Sequence, residues 1–170
     1  PNAAVYWLAR MVEAGEDVKF IARRLIILAS EDIGNANPTA LVIANNTFQA
    51  VSTIGFPESR IILSQCTTYL ACSTKSNASY MAINKAQNLV KETGSLSIPL
   101  EIRNAPTKLM KELGYGDNYK YAHSFDNNFA NQEFMPEDLK GSKLYDPGNN
   151  TRENSQREFL KERWKDKYEY

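Results

Sequence analysis

Apolar residues return every three or four positions from residue 3 to residue 93, the period that lays them along one face of a helix. Val5, Leu8, Met11 and Val12 form the first stripe, and Gly15 follows where a left-handed residue ends a helix. Glu16 and Asp17 open the next run near its positive end, ahead of Val18, Ile21, Ala22, Leu25, Leu28 and Ala29. Asn37 before Pro38 sets a capping residue beside the helical position that tolerates a missing N–H, and Leu41, Ala44, Phe48 and Val51 repeat behind it as far as Gly55. Pro57 opens a fourth helix to about Ser73, with Ile62, Cys66 and Tyr69 inward. Ser76 is placed to cap a fifth to about Thr93, with Ala82, Ile83, Ala86, Leu89 and Val90 on one side. Five such helices joined by short loops predict an all-α bundle or paired-helix stack.

The pattern then changes. Pro106 starts one short helix ending at Gly114, and residues 115–150 scatter Tyr115, Tyr119, Tyr121, Phe125, Phe129, Phe134 and Tyr145 among Asn, Gly, Pro and Asp. Such a segment is irregular yet too aromatic for disorder, so it is expected to wrap against the bundle. From Arg152 to Lys167 a charged helix returns, with Leu160, Trp164 and Tyr168 four apart as a narrow stripe for one docking partner, in this domain or in a neighbouring subunit. The expected organisation is a helical core at 1–95, a short helix with an irregular aromatic extension packed on it at 96–150, and a charged C-terminal helix at 151–170.

Composition narrows the function classes. Among 170 residues, Lys plus Arg and Asp plus Glu both number 20, so no overall field draws DNA, anionic lipid or an acidic substrate. Cys66 and Cys72 lie about 600° apart around one helix, which disfavours a disulfide or metal pair and leaves buried reduced thiols as the expectation. No membrane span or signal peptide is legible, so a soluble cytoplasmic protein is expected. The chain opens on Pro1 without a methionine and enters an apolar run at once, which reads as a piece of a longer protein.

Candidate chemistry is sparse. No glycine-rich phosphate cradle precedes a helix, so no nucleotide site and no catalytic residues are assigned. His123 has no second histidine or nucleophile motif beside it and reads as a packed histidine; its enzymatic alternative requires Glu31 or Asp32 within hydrogen-bond reach. Glu31 and Asp32 themselves read as structural, at the end of the second helix. Arg103, Lys108, Lys111 and Lys120 mark the only basic concentration, a possible DNA or partner contact in a stretch that also reads as a turn and short helix. Tyr6, Trp7 and Met11, with Ile61, Ile62 and Leu63, spread over more than one helix face and so form a possible oligomer interface.

The stretch from Arg103 to Gly116, continued through Tyr119-Lys120-Tyr121-Ala122-His123, resembles the signature of the replication-associated recombination protein A family, also called maintenance of genome stability protein A. Tyr6-Trp7-Leu8-Ala9-Arg10-Met11, Phe20-Ile21-Ala22-Arg23-Arg24-Leu25, Ala29-Ser30-Glu31-Asp32-Ile33-Gly34 and Lys75-Ser76-Asn77 match in the same order. The resemblance implies the C-terminal region of an AAA+ ATPase, with a fold like the clamp-loader collar domain and assembly into a homotetramer. It places ATP and Mg in a module outside these residues, with no cofactor or metal within them. It also implies DNA, single-strand-binding protein and recombination proteins as partners of the parent at replication forks. The fragment itself is expected to serve oligomerisation and docking, the alternative being a DNA- or partner-binding module centred on residues 103–123.

Overall fold

The computed structural model describes all 170 residues and contains seven α-helices and no strand. They are α1 (Asn2–Glu13), α2 (Val18–Leu28), α3 (Thr39–Ile54), α4 (Ser59–Ala71), α5 (Ala78–Thr93), α6 (Lys108–Glu112) and α7 (Thr151–Trp164). The all-α class follows from the apolar period as expected. No helix is long and apolar enough to cross a membrane. The chain forms two compact units, Pro1–Ile83 with Tyr145–Gln156, and Asn84–Leu144 with Arg157–Tyr170.

In the first unit α2, α3 and α4 pack on one another, and α1 packs on α4. Leu8, Ile21, Ala22, Val51 and Leu63 form one apolar cluster, and Ala29, Ile33, Ala40, Ala44, Cys66 and Leu70 form another. The alanines let the helices approach closely, and the larger residues fill the space between them. Asp17 caps α2 by accepting the Lys19 N–H at 3.0 Å. The end of α2 widens into a π-helical turn at Ala29–Ile33. That turn puts Ile33 in the core, while Glu31 is half-buried and Asp32 exposed.

Asn37 does not cap α3. Its Nδ2 donates instead to the Tyr69 hydroxyl at 3.0 Å and the Ser73 hydroxyl at 3.1 Å, fastening the start of α3 to the end of α4. Ser76 does accept the Ala78 N–H, at 3.3 Å, at the start of α5. Cys66 is buried but Cys72, just past the last turn of α4, is exposed, which corrects the expectation of two buried thiols; both are free.

The second unit is held differently. Thr107 caps α6 by accepting the Met110 N–H at 3.3 Å. Phe129 meets Trp164 edge-on at 5.0 Å, Trp164 meets Tyr168 at 5.2 Å, and Lys167 Nζ lies 4.6 Å from the Trp164 ring centroid. The Trp164 and Tyr168 stripe thus docks inside its own unit. The expected burial of the aromatic extension is overturned for Tyr119, Tyr121, Phe125 and Phe134, all exposed, with Tyr121 at 60%. Short 3-10 turns at Ala122–Ser124 and Asp126–Asn128 fix the backbone there without supplying a layer to cover the rings. No residue of α5 is buried, and Ile83 and Val90 of its expected inner stripe are exposed.

Candidate functional site

The most constrained polar group in the first unit is Glu153, in the first turn of α7 and fully buried. Asn150 Nδ2 donates to its carboxylate at 2.5 Å, while Asn150 Oδ1 accepts the Glu153 N–H at 3.0 Å. The Ser76 hydroxyl and the Gly148 N–H also donate to the carboxylate, and the Tyr145 hydroxyl lies 3.4 Å from Oε1. Burial alone would raise the Glu153 pKa; these hydrogen bonds outweigh it and hold the carboxyl below its ordinary value. Asn35 reaches the Tyr145 hydroxyl at 3.4 Å, and the Ser76 N–H donates to the Asp32 carbonyl at 2.8 Å. The Asp32-Ile33-Gly34 and Lys75-Ser76-Asn77 stretches, far apart in the chain, therefore meet at one polar knot closed by Glu153. Sequence reasoning missed this residue. Its only local sign is Asn150 three positions ahead, a cap spacing.

The basic residues singled out in the sequence fall in the second unit with unequal freedom. Arg103 is engaged structurally: Nε donates to the Ile98 carbonyl at 2.7 Å, Nη1 donates to the Tyr115 hydroxyl at 3.1 Å, and the guanidinium lies over the Tyr115 ring. Lys120 Nζ donates to the Asn131 carbonyl at 3.2 Å. Lys108 pairs loosely with Glu112 at 3.7 Å, one turn along α6, in an exposed contact worth about 0.5 kcal/mol or less. Lys108, Lys111 and Lys120 are exposed, whereas Arg103 is half-buried and held by its own neighbours. His123 pairs through Nδ1 with Asn128 at 3.2 Å and stands 5.2 Å from the Tyr121 ring, whereas Glu31 and Asp32 belong to the other unit.

The apolar candidates lie in the first unit. Tyr6, Trp7 and Ile61 are exposed by more than half and Met11 by 40%. Ile62 is half-buried against the core and Leu63 is buried within it, packed with Leu8 and Val51, so Leu63 is unable to form an outer surface. Between α1 and α4 runs a groove of about 330 Å³ lined by Val5, Ala9, Val12 and Ile61, with Glu13 and Arg60 among its polar members.

Known proteins match almost the whole chain. Residues 1–164 match the family described as MgsA AAA+ ATPase C terminal. The chain is 47% identical over 150 residues to the replication-associated recombination protein A of Coxiella burnetii, covering 88% of this chain and 34% of that protein. It is 42% identical over 150 residues to the protein of that name from Escherichia coli strain K12, with the same coverage of each. Against the ATPase WRNIP1 of Dictyostelium discoideum the identity is 41% over 147 residues, 85% of this chain and 17% of that protein. The chain thus spans about a third of the length of its bacterial relatives.

Proposed function

Because the chain belongs to the MgsA AAA+ ATPase C-terminal family, we propose that it is the part of such an ATPase that joins copies into a homo-oligomer, a tetramer by resemblance, and docks them for work in replication-associated recombination. On this reading ATP and Mg are handled in the part of the parent that these residues do not span, and DNA and recombination proteins are partners of the parent. One observation carries the proposal: the first unit has a well-filled core and yet leaves Tyr6, Trp7, Met11 and Ile61 outside it, on two helices that pack together. A chain able to bury Leu8 and Leu63 on the same two helices gains nothing in its own fold from large apolar groups in water, and such patches mark interaction surfaces.

Light scattering at low micromolar concentration tests the proposal. The expected result is an oligomer in both about 0.1 M and about 1 M salt, because apolar burial resists screening. Trp7→Glu and Ile61→Glu are expected to give folded monomers. A wild-type chain that is monomeric at both salt concentrations contradicts the proposal, and an oligomer only at low salt moves the contact to charged residues.

A further inference from the structure

Apolar burial anchors neither α5 nor α7: α5 has no buried residue, and Glu153 is the only buried residue of α7. Helices of 16 and 14 residues owe most of their stability to packing, so their first turns need another hold. The Glu153 knot supplies it to both. The Ser76 hydroxyl accepts the Ala78 N–H at 3.3 Å at the start of α5 and donates to the Glu153 carboxylate in the first turn of α7. Asn35, on the bundle, adds a second bridge. Its Nδ2 lies 3.2 Å from the Ser79 hydroxyl in α5 and 3.4 Å from the Tyr145 hydroxyl ahead of α7. The Ser76 N–H, bonded to the Asp32 carbonyl at 2.8 Å, fixes the pair to the end of the π turn.

These bonds are kept or lost together. A carboxylate out of water with one donor removed bears the full cost of the missing bond, which disfavours partial opening. The fit is also tight. Gly148, in the loop ahead of α7, has no room for a side chain, since a Cβ there would stand 2.8 Å from Glu153 Oε2 and 3.0 Å from Ser76 Oγ. From 145 to 156 only Pro147 and Glu153 are buried, so the stretch can lift away while exposing little apolar surface.

We propose that the knot is a clasp that couples the starts of α5 and α7 as one opening unit. Closed, it holds the first turns of both helices on the bundle; open, it frees both while α1–α4 stay packed. A perturbation at either helix start is thereby passed to the other, in both directions.

Amide hydrogen exchange on the 170-residue chain, corrected for intrinsic rates, tests the coupling. It is read at Ala78 and Met81 for α5 and at Glu153 and Asn154 for α7, whose N–H groups are all bonded near the knot. In the wild type these amides are expected to share one opening equilibrium, to within about tenfold, and to exchange faster than the amides of α2, α3 and α4. Ser76→Ala cuts the clasp from the α5 side, and Gly148→Ala forces it from the α7 side. Each should speed exchange about tenfold or more at both helix starts, and the effect on the opposite helix carries the test. Asp17→Ala, which uncaps α2, weakens the bundle itself and should leave these amides unchanged. If Gly148→Ala fails to fold, Glu153→Gln takes its place. The proposal is overturned if each variant loosens only its own helix, or if the two helix starts differ by more than about tenfold in the wild type. It is also overturned if Asp17→Ala speeds these amides as much as the clasp variants do, because they would then open only with the bundle.

Discussion

Glu153 keeps its charge inside the protein because donors on Ser76, Gly148, Asn150 and Tyr145 replace the water it gave up. Replacing the carboxylate by a carboxamide of the same shape removes the charge and turns one acceptor into a donor facing donors. Glu153→Gln is therefore expected to destabilise the chain by about 1–3 kcal/mol at neutral pH, as measured by denaturant unfolding. The sign of the pH dependence follows from the lowered pKa. Stability from the ionised form is present above the ordinary carboxylate value of about 4.3 and is lost as pH falls through the lower folded value. The gap between wild type and variant should thus narrow on acidification. A gap that stays constant between about pH 7 and pH 3 would remove the ionised carboxylate from this account. Little of this was legible beforehand: Glu153 stands in a run of charged residues, and its main donor, Ser76, lies far earlier in the chain. By contrast Leu8, Ile21 and Val51 were legible as core, because each sits on a local apolar stripe.

At the scale of elements, helices announced themselves wherever the signal was local. The stripes of α1 to α4, the glycines behind α1 and α3 and the carboxylate ahead of α2 all act within a few residues of the helix they define. The π turn at Ala29–Ile33 did not announce itself, since one extra residue in a turn leaves the apolar period almost unchanged. Asn37 was misread for a related reason: cap chemistry and tertiary hydrogen bonding use the same amide, and Tyr69 with Ser73 won it. The π turn ends at Gly34, which has φ +49. A Cβ there would stand 2.9 Å from the Ser76 carbonyl oxygen, a fixed main-chain atom in the Glu153 knot. Gly34→Ala should cost about 1–3 kcal/mol or more, since it combines an unfavourable backbone region with a collision. Gly55→Ala is the control, at φ +77 with nothing within 4 Å of the added carbon, and should cost less. Equal melting temperatures for the two variants would show that the approach to Ser76 relaxes freely.

Over the whole molecule, burial is unevenly divided, and that was the part hardest to read from the chain. Aromatic content suggested cover for the extension, but rings are buried only where an element lies over them, and periodicity does not report how elements from distant parts of the chain meet. Phe129 found Trp164; Tyr119 and Tyr121 found no such cover. The buried apolar residues belong to the first unit with the single exception of Ala130, and Gln132 is the only buried polar residue of the second. The second unit instead rests on short turns, one capped helix at α6, ring contacts and ion pairs such as Lys167 with Glu133 at 3.1 Å. Local opening follows the density of buried apolar contact, so the two units should not open together. Native-state hydrogen exchange is expected to protect the amides of α2, α3 and α4 most, approaching the free energy of global unfolding. Amides of residues 96–144 should exchange through smaller openings, and those near Trp164 should be the slowest of the second unit. Uniform protection across both units would mean that they unfold as one, and that ring contacts and short turns stabilise the second unit as firmly as apolar packing does the first.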